Sequence, residues 1–436
     1  MKQNNKISQD SPLGAEDITI IGSGIIGLYS AYYLNQQGYE VTIIERSSGD
    51  DGCSFGNAGM IVPSHFIPLA VPGMIEKGIR WMFNSESPFY VKPRLNWDLF
   101  SWGMKFYQAA NKKQVDKAMP ALRDISLLGK SLYQEFDKTE KFDFAFKEKG
   151  LMMLCKNEHT FEEEIAVANM ANDLGIEARV LTINELHQLE PEVKPEVAGA
   201  IFYPGDAHLY PNILVKQLKQ LLEQKGVKFL YNTEVTGFET DNNQIKKIKI
   251  QSNTQPGQSI NINQLIIATG SWSPILAKQL NMSIPVQAGK GYSVTYQQNT
   301  GKRLNIPSIL LEARVAITPM SDNLIRFGGT MEIGGINDNI NMNRVRGIIK
   351  AVPEYFPDYQ IDVPAKEKVW YGLRPCSPDG LPYIGRTKKY TNLIIASGHA
   401  MMGLSLAPAT GKLVQEIIDN QPTSIDIGLY KPERYD

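Results

Sequence analysis

Cysteine is scarce in this chain. Among 436 residues there are three, Cys53, Cys155 and Cys376. An odd, scattered set excludes a disulfide framework and offers no metal-ligand spacing, so no metal site is expected. An excess of one charge is also lacking. The 45 Lys and Arg nearly balance 46 Asp and Glu, for a net charge of −1. No basic field is available to hold nucleic acid. No run of about eighteen apolar residues occurs, so no membrane-crossing helix is expected. Internal repeats and low-complexity tracts are absent too. The first sixteen residues are polar, without an apolar core, and read as a disordered tail instead of a signal peptide. What remains is ordinary globular material, 42% hydrophobic and 21% charged. It is enough for two or three domains or one large composite. The cysteine usage fits a reducing compartment such as the cytoplasm.

The most informative text that is present runs DITIIGSGIIGLYSAYYLNQQGYEVTIIE over residues 17–45. An apolar strand, Ile18 to Ile21, runs into Gly22, Gly24 and Gly27. A helix follows through Leu34, Gly38 ends it, and a second strand, Val41 to Ile44, stops at Glu45. Strand, helix, strand and terminal acid in this order form the dinucleotide-binding fingerprint. Gly22 permits the tight turn, Gly24 lets backbone approach a pyrophosphate, and Gly27 lets the helix pack on the strand. The helix N-terminus presents unpaired N–H groups to phosphate. Glu45 is placed to accept ribose hydroxyls. Candidate contacts here are Gly22, Gly24, Ile25, Ile26, Gly27, Glu45 and Arg46.

The next loop is rich in Gly, Ser and Pro and carries Ser54, Asn57, Ala58 and Gly59, as expected of a segment that wraps a cofactor. Residues 78–110 hold Trp81, Trp97 and Trp102 among Phe83, Phe89, Tyr90, Phe100, Phe106 and Tyr107. They are either helices packed on a core or a face for a membrane or partner. Helices are predicted from about Met119 to Lys138, Thr160 to Leu174, Ile183 to Leu189 and Pro211 to Gly226. Residues 142–156 read as a hairpin turning at Lys149 and Gly150. Residues 244–251 and 258–268 read as a strand pair, the second ending in ATGSW with Thr269, Gly270 and Trp272. Residues 284–336 alternate as antiparallel strands. Near the end, a strand from Leu393 to Ala396 meets Gly398, His399, Met401, Met402, Gly403 and Leu404. That is a second glycine-bearing strand-to-helix junction, closing in a helix to about Ile418.

The ordered set GSGIIG…IIE, GNAGM, YPGDAHLYP, ATGSW, GLRPCSPDGLPYIG and GHAMMGLSLAPATG resembles the D-amino acid oxidase-like family of FAD-dependent oxidoreductases. It covers most of residues 17–419. Within it, GNAGM, the aromatic stretch and GLRP look most like bacterial D-amino acid dehydrogenases, and GHAMMG is similar to a subgroup acting on D-hydroxyproline. The resemblance implies a mixed α/β and α+β fold. A discontinuous Rossmann-type FAD domain would comprise 17–64, 199–283 and 366–436. A substrate domain on a large antiparallel sheet would comprise 65–198 and 284–365.

It also implies roles. FAD, non-covalently held, suits two glycine junctions better than NAD, with Asn57 to Gly59 and Gly372 beside the flavin and Val235 near the adenine. Val235 is equally readable as an ordinary strand residue. Arg374 corresponds to the family's carboxylate-binding arginine; the competing reading pairs it with Asp379. Tyr292 is either a substrate contact or a packed sheet tyrosine. His399 and His65 are weaker candidates, and Cys376 reads as a small packed residue instead of a flavin attachment point. The implied activity is hydride transfer from the α-carbon of a D-amino acid to flavin N5. D-proline and cis-4-hydroxy-D-proline are among the substrates to expect. Electrons would pass to a quinone or carrier protein, with 78–110 as a peripheral contact with the inner membrane. Oligomeric state leaves no signature in the chain. The alternatives are an amine oxidase of the same fold acting on glycine or sarcosine with oxygen, a glycerol phosphate enzyme, or a non-catalytic electron-transfer subunit.

Overall fold

The computed structural model describes residues 17–436 except 51, 75, 77–86, 95, 253–256, 299–301 and 322. The reading of residues 1–16 as a tail, and Trp81 and Phe83 of the aromatic stretch, lie outside them.

Two sheets organise the described residues. The first has six strands in the order Tyr383–Arg386, Leu393–Ser397, Gln264–Ile267, Ile18–Ile21, Val41–Ile44 and Lys228–Leu230. All neighbours are parallel except the antiparallel edge strand at 383–386. Central strands covered on both faces read as near-continuous apolar runs, and ITII, QLII and LIIAS each carry a single polar residue. The helices Ile25–Gln36 and Gly403–Ile418 pack on this sheet and on each other. The long helix Lys112–Thr139 lies against the latter, its first turn capped by the Asn111 side chain on the Gln114 amide. Thr182 and Glu185 close a reciprocal cap on the helix Ile183–Leu189.

The second sheet has nine strands. Its main path runs Trp370–Cys376, Gln287–Gln297, Leu324–Ile333, Val315–Pro319, Ser308–Leu310, Leu151–Cys155, Gly199–Tyr203 and Arg179–Leu181, with Phe89–Val91 on the side of 324–333. The helix Met342–Tyr355 packs on one face over a core that includes Val294, Phe327, Val345 and Ile348.

Several local expectations change. Residues 142–156 do not form a hairpin. Only Leu151–Cys155 is a strand, and it pairs with 199–203 on one side and 308–310 on the other. LMMLC is buried at every position, so it needs partners on both edges, which a single hairpin cannot supply. Residues 258–268 split. Gln258–Asn261 stays with Gln244–Ser252 in a three-stranded sheet begun by Thr233–Asp241, while the apolar Gln264–Ile267 crosses into the six-stranded sheet. Strands 199–203 and 370–376, expected with the FAD domain, hydrogen-bond into the nine-stranded sheet.

The aromatic stretch divides along one helix, Trp97–Ala109. Trp102, Phe106 and Ala109 are buried, and the Trp102 indole donates to the Cys376 carbonyl at 2.9 Å. Trp97, Phe100, Met104 and Tyr107 lie exposed, Trp97 by 76%. Their spacing of three, four and three residues puts them on one face.

Candidate active site

The two sheets meet across a cavity of about 960 Å³. The six-stranded sheet offers it the C-terminal ends of its parallel strands, where α/β sheets bind ligands. Gly22, Gly24, Ile25, Ile26, Glu45, Arg46, Thr269, Gly270 and Trp272 border it there. Gly22 sits at φ 105°, closed to ordinary side chains, and its Cβ would stand 2.7 Å from the Ala268 carbonyl oxygen. Around Gly24 no protein atom lies within 4 Å of where a Cβ would be. That gap faces the N-terminus of the helix Ile25–Gln36, which has no side-chain cap, so the backbone leaves room for an anionic group. Gly27 does not border the cavity; it packs directly on Gly22.

Glu45 accepts four hydrogen bonds, from the amide and hydroxyl of Ser23 at 2.9 Å and from those of Ser47 at 3.0 Å. This fills a carboxylate's acceptor capacity. Ribose hydroxyls would therefore replace serine hydroxyls there. Arg46 stacks 4.1 Å over the Trp272 ring. Val235 is buried in its strand and borders the same end.

The loop after the second strand lines the middle of the cavity with Ser54, Asn57 and Ala58. Gly59 stands behind it at φ 79°, against the Leu209 carbonyl. At the second glycine junction His399, Met401, Met402, Gly403 and Leu404 border the cavity, as does Gly372. Gly398, at φ 80°, packs against Tyr383.

Arg374 enters from the edge strand 370–376. Its side chain is partly buried and borders the cavity, and desolvation holds its pKa below the usual arginine range. It donates to the Thr330 carbonyl, and a Cβ on Gly291 would strike it at 2.3 Å. No carboxylate pairs with it among the described residues. The competing pairing with Asp379 is not formed, because Arg434 holds Asp379 with two bonds of 2.7 and 2.8 Å. Thr330 itself has φ 70°, an outlier for a β-branched residue. Such strain collects at functional sites. Desolvating a charge is costly, so a partly buried guanidinium with no carboxylate beside it among the described residues is suited to take an anion.

Two expected catalytic residues border the cavity but have their polar atoms held by protein partners. Tyr292 is 1% exposed and packs in the core under the helix 342–355. Its hydroxyl donates to Glu332 and accepts from the Asn341 amide, both at 3.2 Å. By strand alternation, Gly291 and Ser293 face Arg374 and the cofactor loop, and the Tyr292 ring packs on the opposite face. The His399 ring is likewise buried, bonded to Thr410 at 2.9 Å and pushed down to about 3 by desolvation. It pins the closing helix and is uncharged at neutral pH.

His65 borders the cavity, its Nδ1 3.2 Å from the Ser64 hydroxyl, which in turn bonds Asp206. Burial and Arg314 push His65 down to about 4, and burial raises Asp206 to about 7. Cys376 is buried and packs beside Met331, with its thiol pushed up to about 12 by desolvation.

Arg326 and Ser293 were missed by sequence reasoning, although each bonds the cofactor loop from the nine-stranded sheet. A lone arginine inside the apolar run of 324–333 was the available signal.

A family model described as FAD dependent oxidoreductase, DAO, matches residues 17–417. A protein named D-amino acid dehydrogenase from Helicobacter pylori is 30% identical over 92% of this chain and 94% of its own. Among solved structures, glycine oxidase from Geobacillus kaustophilus is 22% identical at a TM-score of 0.76, over 97% of this chain and all of its own. L-proline dehydrogenase from P. horikoshii is 22% identical at 0.73, over 97% and 98%.

Proposed function

The chain belongs to the FAD-dependent oxidoreductase family, and on that premise we propose that it is a D-amino acid dehydrogenase. Supporting this are the similar D-amino acid dehydrogenases and, above all, the Arg374 guanidinium, which borders the cavity with no acidic partner among the described residues. The residues that would hold the ADP half of FAD are Gly22, Gly24, Ile25, Ile26, Glu45, Arg46 and Val235, and those that would hold its ring are Asn57, Ala58, Gly372, His399 and Met401 to Leu404, with Gly27, Gly59 and Gly398 shaping the backbone behind them. The gap at Gly24 and the uncapped helix N-terminus are the features that fit it.

When bound, the flavin supplies the oxidising centre that takes a hydride equivalent from the substrate. The chain supplies orientation. Arg374 holds the carboxylate by paired N–H bonds. The closed sheet face around Gly291 confines the α-carbon, and the buried setting strengthens the charge pair by excluding water. With the carboxylate fixed, one enantiomer directs its α-hydrogen inward. No side chain acts as a general base in this scheme.

D-Proline and cis-4-hydroxy-D-proline are the substrates to test first, with a quinone or carrier as electron acceptor. The exposed Trp97, Phe100, Met104 and Tyr107 supply a face by which the protein rests on a membrane. No described helix is long and apolar enough to cross one. The test is a panel of D- and L-amino acids, both hydroxyproline epimers included, with dye reduction and peroxide followed together. D-selective dye reduction supports the reading. Turnover of L-enantiomers alone overturns the hand, and peroxide at the dye-coupled rate makes the protein an oxidase.

A further inference from the structure

Behind the cofactor loop stands a buried arginine. Arg326, on the strand Leu324–Ile333, is 4% exposed, and no carboxylate pairs with it among the described residues. Its Nε donates to Thr295 at 3.0 Å and its Nη2 to the Asn212 side chain at 3.1 Å. Its Nη1 donates to the carbonyls of Phe55 and Asn57, at 3.3 and 2.7 Å. Between those two, the Gly56 carbonyl accepts the Ser293 hydroxyl at 2.7 Å. Three consecutive carbonyls are thus drawn to one sheet face. We propose that Arg326, assisted by Ser293, is the positioning residue that shapes the flavin loop and raises the reduction potential of the bound flavin.

The physical argument has two parts. A trans peptide points its C=O and N–H in opposite directions. Carbonyls 55, 56 and 57 turned to the sheet therefore turn the N–H groups of Gly56, Asn57 and Ala58 away from it. Those three residues border the cavity. The second part is charge. A guanidinium without a counter-acid projects its field through a low-dielectric wall, and negative charge that develops beyond the loop is favoured by it. Burial lowers the Arg326 pKa to about 10, so the charge persists through the working range. The inference rests on the proposed placement of the flavin ring along residues 57–59.

The test uses apoprotein reconstituted with FAD, for the wild type and Arg326→Gln, Arg326→Lys and Ser293→Ala. The readouts are FAD dissociation constant, two-electron midpoint potential and amide exchange over residues 53–59. Arg326→Gln should lower the potential by at least about 30 mV, a tenfold shift of a two-electron equilibrium, and speed exchange of the loop. Arg326→Lys should keep most of the potential but lose loop protection. Ser293→Ala should loosen the loop without moving the potential. Arg326→Gln with native potential and affinity, losing only thermal stability, would overturn the inference. Should that variant fail to fold, an Arg326→Lys protein with native loop exchange overturns it instead. Failure of wild-type apoprotein to take up FAD would strike at the site assignment and not at Arg326.

Discussion

The two sheets serve the cavity with different parts of the chain. The six-stranded sheet offers mainly backbone: a turn at Gly22, an empty space at Gly24, a helix N-terminus and a second junction at 398–403. The nine-stranded sheet offers side chains: Arg374, Arg326 and Ser293. The two arginines make the contrast sharper. Arg326 is buried and Arg374 is partly buried, and neither has an acidic partner among the described residues. Arg326 has four protein acceptors, whereas one protein hydrogen bond, to the Thr330 carbonyl, is seen at Arg374. A guanidinium has five N–H donors. The one with four of its five donors filled is committed to the protein, and the one with a single protein bond has donors to offer a ligand under the proposed function.

The contrast breaks most severely at Gly24. Gly24→Val should abolish FAD binding while the protein still folds, because the new side chain enters space that only a ligand occupies. Flavin absorbance after purification and a thermal melt check both halves; full flavin occupancy would mean the gap is not a phosphate site. On the other sheet, Arg374→Lys should cut kcat/KM for D-amino acids by about 10²-fold or more, since a point charge cannot reproduce paired docking. FAD content should stay normal. Turnover within about threefold of wild type, a loss under about 1 kcal/mol, would remove Arg374 as the carboxylate clamp.

Glu45→Ala should have a smaller effect, weakening FAD retention without changing the rate of substrate oxidation. Its carboxylate serves the far end of the cavity, and Ser23 and Ser47 already occupy its acceptor sites. Equilibrium dialysis of FAD is the measurement, and an unchanged dissociation constant would leave Glu45 a loop-bracing residue. The smallest effect concerns Glu190, a latch beside the nine-stranded sheet that accepts the Asn305 and Ile306 amides. Burial raises its folded pKa from 4.5 to about 7. Its protonated form is favoured in the fold, so that contribution is complete below about pH 4.5 and is lost as pH rises through about 7. Glu190→Gln should therefore gain in melting temperature relative to wild type between pH 5 and pH 8. An equal difference at both pH values would show that the carboxyl does not titrate there.

Legibility followed the same division. Where function lies in backbone, local sequence reports it, because glycine spacing and apolar strands are written in consecutive residues. The unit 17–45 and the junction at 393–418 could be read directly. The helix Ile183–Leu189 was also read residue for residue, since its cap is local. Where function lies in side chains gathered from distant strands, local text was ambiguous. Tyr292 supports two readings in the sequence, and the structure packs its ring in the core under the helix 342–355. The aromatic stretch supports two readings, and the helix 97–109 has one buried aromatic face and one exposed one.

The sequence by itself determined the FAD-binding signature, the order of α/β and β-rich text, and the Arg374 motif, because these depend on neighbours in the chain. Only the tertiary structure decided which sheet received strands 151–155, 199–203, 264–267 and 370–376. It also decided that Asp379 would be taken by Arg434, leaving Arg374 without an acid, and that Arg326 would be filled by the cofactor loop. Strand partners and hydrogen-bond saturation are properties of chain segments brought together from far apart, and no local spacing encodes which donor will meet which acceptor.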